Sequence, residues 1–71
     1  MSKFRIKQLM AESGATTDDV ARAMWPDSTD HSRYVAMKTF EKNNYRKAAL
    51  DQVKALAELF GVNEIDKLIE P

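Results

Sequence analysis

Apolar positions in this chain recur at three- and four-residue steps, and no stretch alternates apolar and polar residues as a strand would. Ile6, Leu9 and Met10 fall at i, i+3 and i+4 with Phe4 nearby, which predicts a first helix over about residues 3–13. Gly14 supplies a left-handed stop after it. Thr16 reads as the N-cap of a second helix over 17–24. Asp19 stands where a capping-box acid would, and Asp18 and Asp19 both suit the positive end of the helix dipole. Val20, Ala21 and Met24 form the inner face, and Pro26 ends the helix because proline disfavours helical backbone in the residue before it.

The polar run from Pro26 to His31 is rich in turn formers. Ser32, or Asp30 just before it, can cap a third helix over about 32–43, with Met37 and Phe40 buried one turn apart. Asn43 and Asn44 tolerate positive φ and would end it. Tyr45, Arg46 and Lys47 make the connection to a fourth helix over about 48–60, in which Leu50, Val53, Leu56, Ala57 and Phe60 share a face. Gly61 closes that helix. Asn63 then caps a short fifth one whose Ile65, Leu68 and Ile69 face inward. The expected class is all-α, five compact helices in one domain over 1–71, with no repeat, low-complexity segment or linker.

Composition narrows this picture modestly. At 44% hydrophobic and 31% charged residues the chain fits an ordinary globular protein, but 71 residues leave little surplus stability. Without cysteine there are neither disulfides nor thiolate metal sites. Short apolar runs broken by charges cannot span a bilayer, and the first five residues carry charge with no apolar stretch behind them. A cytoplasmic protein without membrane contact is expected.

Charge distribution says more than the zero sum. Residues 33 to 47 hold Arg33, Lys38, Lys42, Arg46 and Lys47 against Glu41 alone. From Asp51 onward the acids Asp51, Glu58, Glu64, Asp66 and Glu70 outweigh Lys54 and Lys67. A solvated face accounts for most such clusters; a polyanion partner is the sharper alternative.

Catalytic chemistry finds little footing. His31 has no second histidine or cysteine to share a metal or a nucleophilic relay, and the Asp18/Asp19 pair is explained by the helix dipole. The only glycines, Gly14 and Gly61, are helix stops, so no phosphate loop exists. No enzyme activity, cofactor, metal or small-molecule ligand is expected.

A family pattern runs through residues 4 to 69. It comprises Ile6-Lys7-Gln8-Leu9 with Glu12-Ser13-Gly14, then Thr16 to Ala21, then Phe40-Glu41-Lys42-Asn43. Val53, Leu56-Ala57, Phe60-Gly61-Val62, Ile65 and Leu68 complete it. This ordered set resembles the lambda-repressor/Cro-like helix-turn-helix family of phage and bacterial regulators. Three departures stand out. About six extra residues lengthen the turn around Trp25 to His31, Thr17 replaces a common glutamine, and Met10 replaces an arginine that often pairs with the glutamate of the third helix. The resemblance implies a sequence-specific double-stranded DNA-binding regulator, with the third helix in the major groove and a homodimer as a further possibility.

Stepping around the third helix at about 100° per residue from Met37 and Phe40 puts Val35, Lys38, Thr39 and Lys42 on the outer side with Tyr34 at its edge. The resemblance places Tyr34, Val35, Lys38 and Thr39 on base-contacting positions. Lys38 can donate to guanine, Thr39 can hydrogen-bond or touch a thymine methyl, and Val35 can make only the apolar contact. The plainer alternatives are that Val35 packs on the long turn and that Tyr34 is a half-buried ring with a wet hydroxyl. Phosphates would fall to Thr17 and Ser32 at helix starts, and to Lys42, Asn44, Arg46 and Lys47. Five such neutralising contacts would give a salt slope of about −4 to −5. Arg33 lies on the inner side and is expected to meet an acid. Trp25 reads as a cap over the second and third helices, an anchor for the extended turn, or a subunit contact, and Ile65, Leu68 and Ile69 are candidates for two-fold pairing. The competing function is the same fold used as a protein-interaction module.

Overall fold

A computed structural model describes residues 4–69 of the chain. Its helices are α1 (Ile6–Ser13), α2 (Thr17–Met24), α3 (Asp30–Lys42) and α4 (Leu50–Phe60), followed by one 3₁₀ turn, Ile65–Leu68. All-helical architecture is therefore as expected, but the fifth helix is this single tight turn. Glu64 precedes the turn without a side-chain cap bond, so Asn63 is not its cap.

α2 has the expected bounds because its end signals are local. Thr16 Oγ1 accepts from the Asp19 N–H at 3.1 Å, and Asp19 Oδ2 accepts from the Thr16 N–H at 2.9 Å. This reciprocal pair satisfies two N–H groups that a helix start leaves open, and such a cap is worth about 1 kcal/mol. α1 starts later than the expected residue 3, which lies outside the described residues. Phe4 and Arg5 are held elsewhere: Phe4 N–H donates to Tyr45 O at 2.8 Å, Arg5 N–H donates to Leu68 O at 2.6 Å, and Phe4 forms an antiparallel bridge with Ile69. Backbone committed to those partners cannot also start a helix.

α3 begins earlier than expected, and its cap is Thr29 instead of Asp30 or Ser32. Thr29 Oγ1 accepts from the Ser32 N–H at 3.2 Å. Its far end closes by a left-handed exit. Asn44 and Tyr45 have φ of 60° and 56°, the Asn44 N–H reaches Glu41 O at 3.0 Å, and the Tyr45 N–H reaches Phe40 O at 2.9 Å. This double bond pattern is the Schellman motif, usually accompanied by an apolar contact across it. Here the contact is the Tyr45 ring edge-on to Phe40, with centroids 5.3 Å apart. Asn43 stays near helical φ, so the positive-φ pair is shifted one residue from the expected Asn43-Asn44.

The core consists of Ile6, Leu9, Val20, Ala21, Met24, Met37, Phe40, Tyr45, Val53, Leu56 and Leu68. α2 packs most extensively on α4, and α3 lies across α2. Phe40 is the hub of an aromatic cluster, within 6.4 Å of Phe4 and 6.2 Å of Trp25 as well as Tyr45. Tyr45, expected in a connecting loop, is thus part of the core, and burial beside the Glu41 carboxylate raises its phenol above the usual tyrosine range.

One expectation about apolar residues changes, and one choice between core and pairing is decided for the core. Leu50 does not face inward with Val53; it is 64% exposed at the first position of α4. Leu68 is fully buried in the monomer's own core, with Ile69 packed half-buried against it, so Leu68 is not available for pairing. The Ile65 side chain, the third candidate, lies outside the described residues.

Candidate nucleic-acid interface

The position of α3 depends on how the long turn before it is tied down. Arg33 sits on the inner side, its side chain only 12% exposed. Its guanidinium donates to Trp25 O at 3.0 Å, Ser28 O at 2.8 Å and Pro26 O at 3.4 Å, and to Asp30 Oδ1 at 2.9 Å. The expected acid partner is present, but the carbonyls are the larger part of the arrangement. A planar fork with five donors suits several carbonyls at once, which an ammonium does not. Trp25 contributes both its carbonyl to this fork and its ring to Phe40, so it caps the core and anchors the turn together.

With α3 fixed in this way, its outer side carries Val35, Lys38, Thr39 and Lys42, all exposed. Tyr34 and Val35 are 61% and 48% exposed, so Val35 is not packed under the turn and Tyr34 is not half-buried. These five residues form one continuous surface. Lys38 Nζ stands 5.6 Å from the centre of the Tyr34 ring and 3.9 Å from Glu41 Oε2. The ammonium is thereby drawn toward the α2 side of the helix. Both partners lie at helical neighbour spacings, i−4 and i+3, a signal the sequence already contains.

Two hollows border this surface. One, of about 380 Å³, runs between α2 and α3 and is lined by Thr17, Arg22, Tyr34 and Lys38 among others. The second, of about 310 Å³, brings Trp25, Thr39 and Lys47 together on the opposite flank. Thr17 and Lys47 therefore border the α3 face from either side.

The remaining positions differ in what they offer. Thr17 is exposed in the first turn of α2, but Asp18 and Asp19 put two carboxylates into that turn, and Asp18 holds Arg22 at 2.7 Å. An incoming anion is less welcome there than at a bare helix start. Ser32 is exposed but is the third residue of α3, and its N–H is already bonded to Thr29. It is not a free helix-start donor. Lys42 is exposed at the end of the α3 face, and Asn44, Arg46 and Lys47 are exposed beyond it.

Among the described residues no group of three His, Cys, Asp or Glu could hold a metal ion, and no helix is long and apolar enough to cross a membrane. Against known proteins, the chain matches no family model, no curated protein and no solved structure.

Proposed function

We propose that this chain is a sequence-specific double-stranded DNA-binding domain of the lambda-repressor/Cro-like helix-turn-helix type, serving a cytoplasmic transcriptional regulator of phage or mobile-element character. One observation carries the reading: α3 presents Tyr34, Val35, Lys38, Thr39 and Lys42 as one exposed strip, while its opposite side is fixed by Phe40 and the Arg33 fork. A rigid helix with a free mixed apolar and basic face matches the floor of a major groove, where base edges offer methyl groups and hydrogen-bond acceptors. Lys42 at the end of that face, and the exposed Arg46 and Lys47 that follow it in the chain, are the groups that would hold phosphates, with Asn44 between them in sequence. Thr17 and Ser32 rank below these, for the reasons of charge and prior bonding given above. As a dimer the protein would address half-sites about 34 Å apart, through a surface other than Leu68.

A second reading, a protein-interaction module, is favoured by the exposure of Tyr34, Val35 and Leu50 and by the acids Asp18, Asp30 and Glu41 along the α2–α3 hollow. Substitutions separate the two. On a duplex selected from a random pool, Lys47→Ala is expected to weaken all sequences alike by a few-fold. Lys38→Ala is expected to cost about 1–3 kcal/mol and to relax preference at one base position. Unchanged duplex binding in both variants would remove the DNA assignment of this face.

A further inference from the structure

Val35 and Thr39 lie one turn apart on the outer face of α3, and the Thr39 hydroxyl is not free. Thr39 Oγ1 donates to the Val35 carbonyl at 3.1 Å within the same helix. A hydroxyl has one proton, so a Thr39 bonded in this way has no donor left for guanine O6 or N7 or for thymine O4. What the exposed Thr39 side chain still has to offer is a methyl group and an acceptor lone pair. Next to it stands Val35, 48% exposed and purely aliphatic. The ammonium of Lys38, a donor on the same face, is drawn the other way by Tyr34 and Glu41.

We infer that Val35 and Thr39 act together as a methyl-reading pair, selecting thymines in the bound DNA by contact with their C5-methyl groups, on the flank of α3 away from Lys38. The inference rests on the DNA-binding reading above and specifies what that face recognises. Residues four apart on a helix are about 6 Å apart along its axis. Successive base pairs are about 3.4 Å apart. The two side chains therefore address thymines on base pairs one or two steps apart, on either strand. The same geometry gives Lys38 a guanine on the α2 side of that pair, so the preferred site combines a thymine-rich step with an adjacent guanine.

The two possible roles of Thr39 respond oppositely to conservative replacement. Thr39→Val keeps a methyl and removes the hydroxyl; Thr39→Ser keeps the hydroxyl and removes the methyl. On the best duplex from a random-pool selection, Thr39→Val is expected to bind within about twofold of the parent. Thr39→Ser should bind about three- to fivefold more weakly, the size of one buried methyl group. Replacing the contacted thymine by deoxyuridine deletes only its methyl. It should weaken the parent by a similar factor and abolish most of the further loss from Thr39→Ser, because the two deletions remove the same contact. Thermal melts of both variants confirm that any loss reflects recognition, since Thr39 is exposed and neither change touches the core. A Thr39→Val variant that loses more than Thr39→Ser, or deoxyuridine duplexes that bind like thymine duplexes, would overturn the methyl-reading pair while leaving DNA binding intact. Absence of binding to any duplex would overturn the DNA reading itself, before the variants are compared.

Discussion

Phe40→Ala is expected to destabilise the domain by about 3–5 kcal/mol, the usual range for emptying a buried aromatic site. The loss should sit at the upper end here. Phe40 is 5% exposed and touches rings from three separate parts of the chain: Phe4 near the start, Trp25 after α2 and Tyr45 after α3. None of these can collapse into the gap without giving up its own contacts. The Phe40 ring is also the apolar partner of Tyr45 across the turn that ends α3, so its loss removes the side-chain support of that exit while the backbone bond from the Tyr45 N–H to the Phe40 carbonyl remains. A domain of this length has roughly 4–11 kcal/mol of stability in all. The variant should therefore lose from about half to all of that stability, read by urea titration followed through helical circular dichroism. Phe40→Leu keeps an apolar side chain of nearby volume and should cost distinctly less. A Phe40→Ala cost below about 1 kcal/mol would contradict the placement of this ring at the hub.

Arg33→Met is the second large effect, expected at about 2–3 kcal/mol. The ion pair with Asp30 is not the reason. Asp30 is 97% exposed, and a pair so open to water contributes little. The loss comes from the carbonyls of Trp25 and Ser28, which are partly buried and would lose a charged donor at once. Arg33→Lys should recover little of it, because one ammonium cannot span carbonyls held by a fork. Asp30→Ala, in contrast, should cost well under 1 kcal/mol. The comparison is made by denaturant titration of the three variants, with amide exchange of residues 25–29 as a local probe. If Asp30→Ala costs as much as Arg33→Met, the ion pair and not the carbonyl fork anchors the turn.

Sequence and structure agree best where the deciding interaction is short-range. α2 is bounded by Thr16, Asp19 and Pro26, all within a few residues of its ends, and Gly14 and Gly61 stop α1 and α4 with φ of 78° and 67°. The inner and outer sides of α3 followed from Met37 and Phe40 alone, because helical periodicity carries a burial pattern along a whole helix. The misplacements have a different origin. Thr29, Asp30 and Ser32 are all capable caps in close succession, and a choice among them depends on which one the turn, tied to Arg33, delivers to the helix start. The bridge from Phe4 to Ile69 joins the two ends of the described chain, a contact that no local pattern encodes. It delays α1 and accompanies the tightening of the last segment into a 3₁₀ turn. Tyr45 follows an Asn pair and so resembles a loop residue, yet an aromatic placed just past a left-handed helix exit is also the apolar partner such an exit uses.

The candidate site was legible in the same uneven way. Exposure of Tyr34, Val35, Lys38, Thr39 and Lys42 follows from the wheel, and the contacts of Lys38 with Tyr34 and Glu41 follow from spacing. The prior commitments of the Ser32 N–H and the Thr39 hydroxyl do not, since both depend on where α3 begins and how its side chains rotate.

Salt dependence of duplex binding tests the DNA reading most directly. The exposed cations assigned to phosphates are Lys42, Arg46 and Lys47, with Lys38 on a base edge, whereas Thr17, Ser32 and Asn44 carry no charge and release no counterions. Fewer neutralised phosphates than the five first expected make the slope shallower. Titrating a fluorescent random-sequence duplex at salt concentrations from about 50 to 200 mM, log affinity should fall against log salt with a slope of about −3. A flat dependence, or no measurable binding at the lowest salt, would contradict the DNA reading and leave the α3 face to a protein partner.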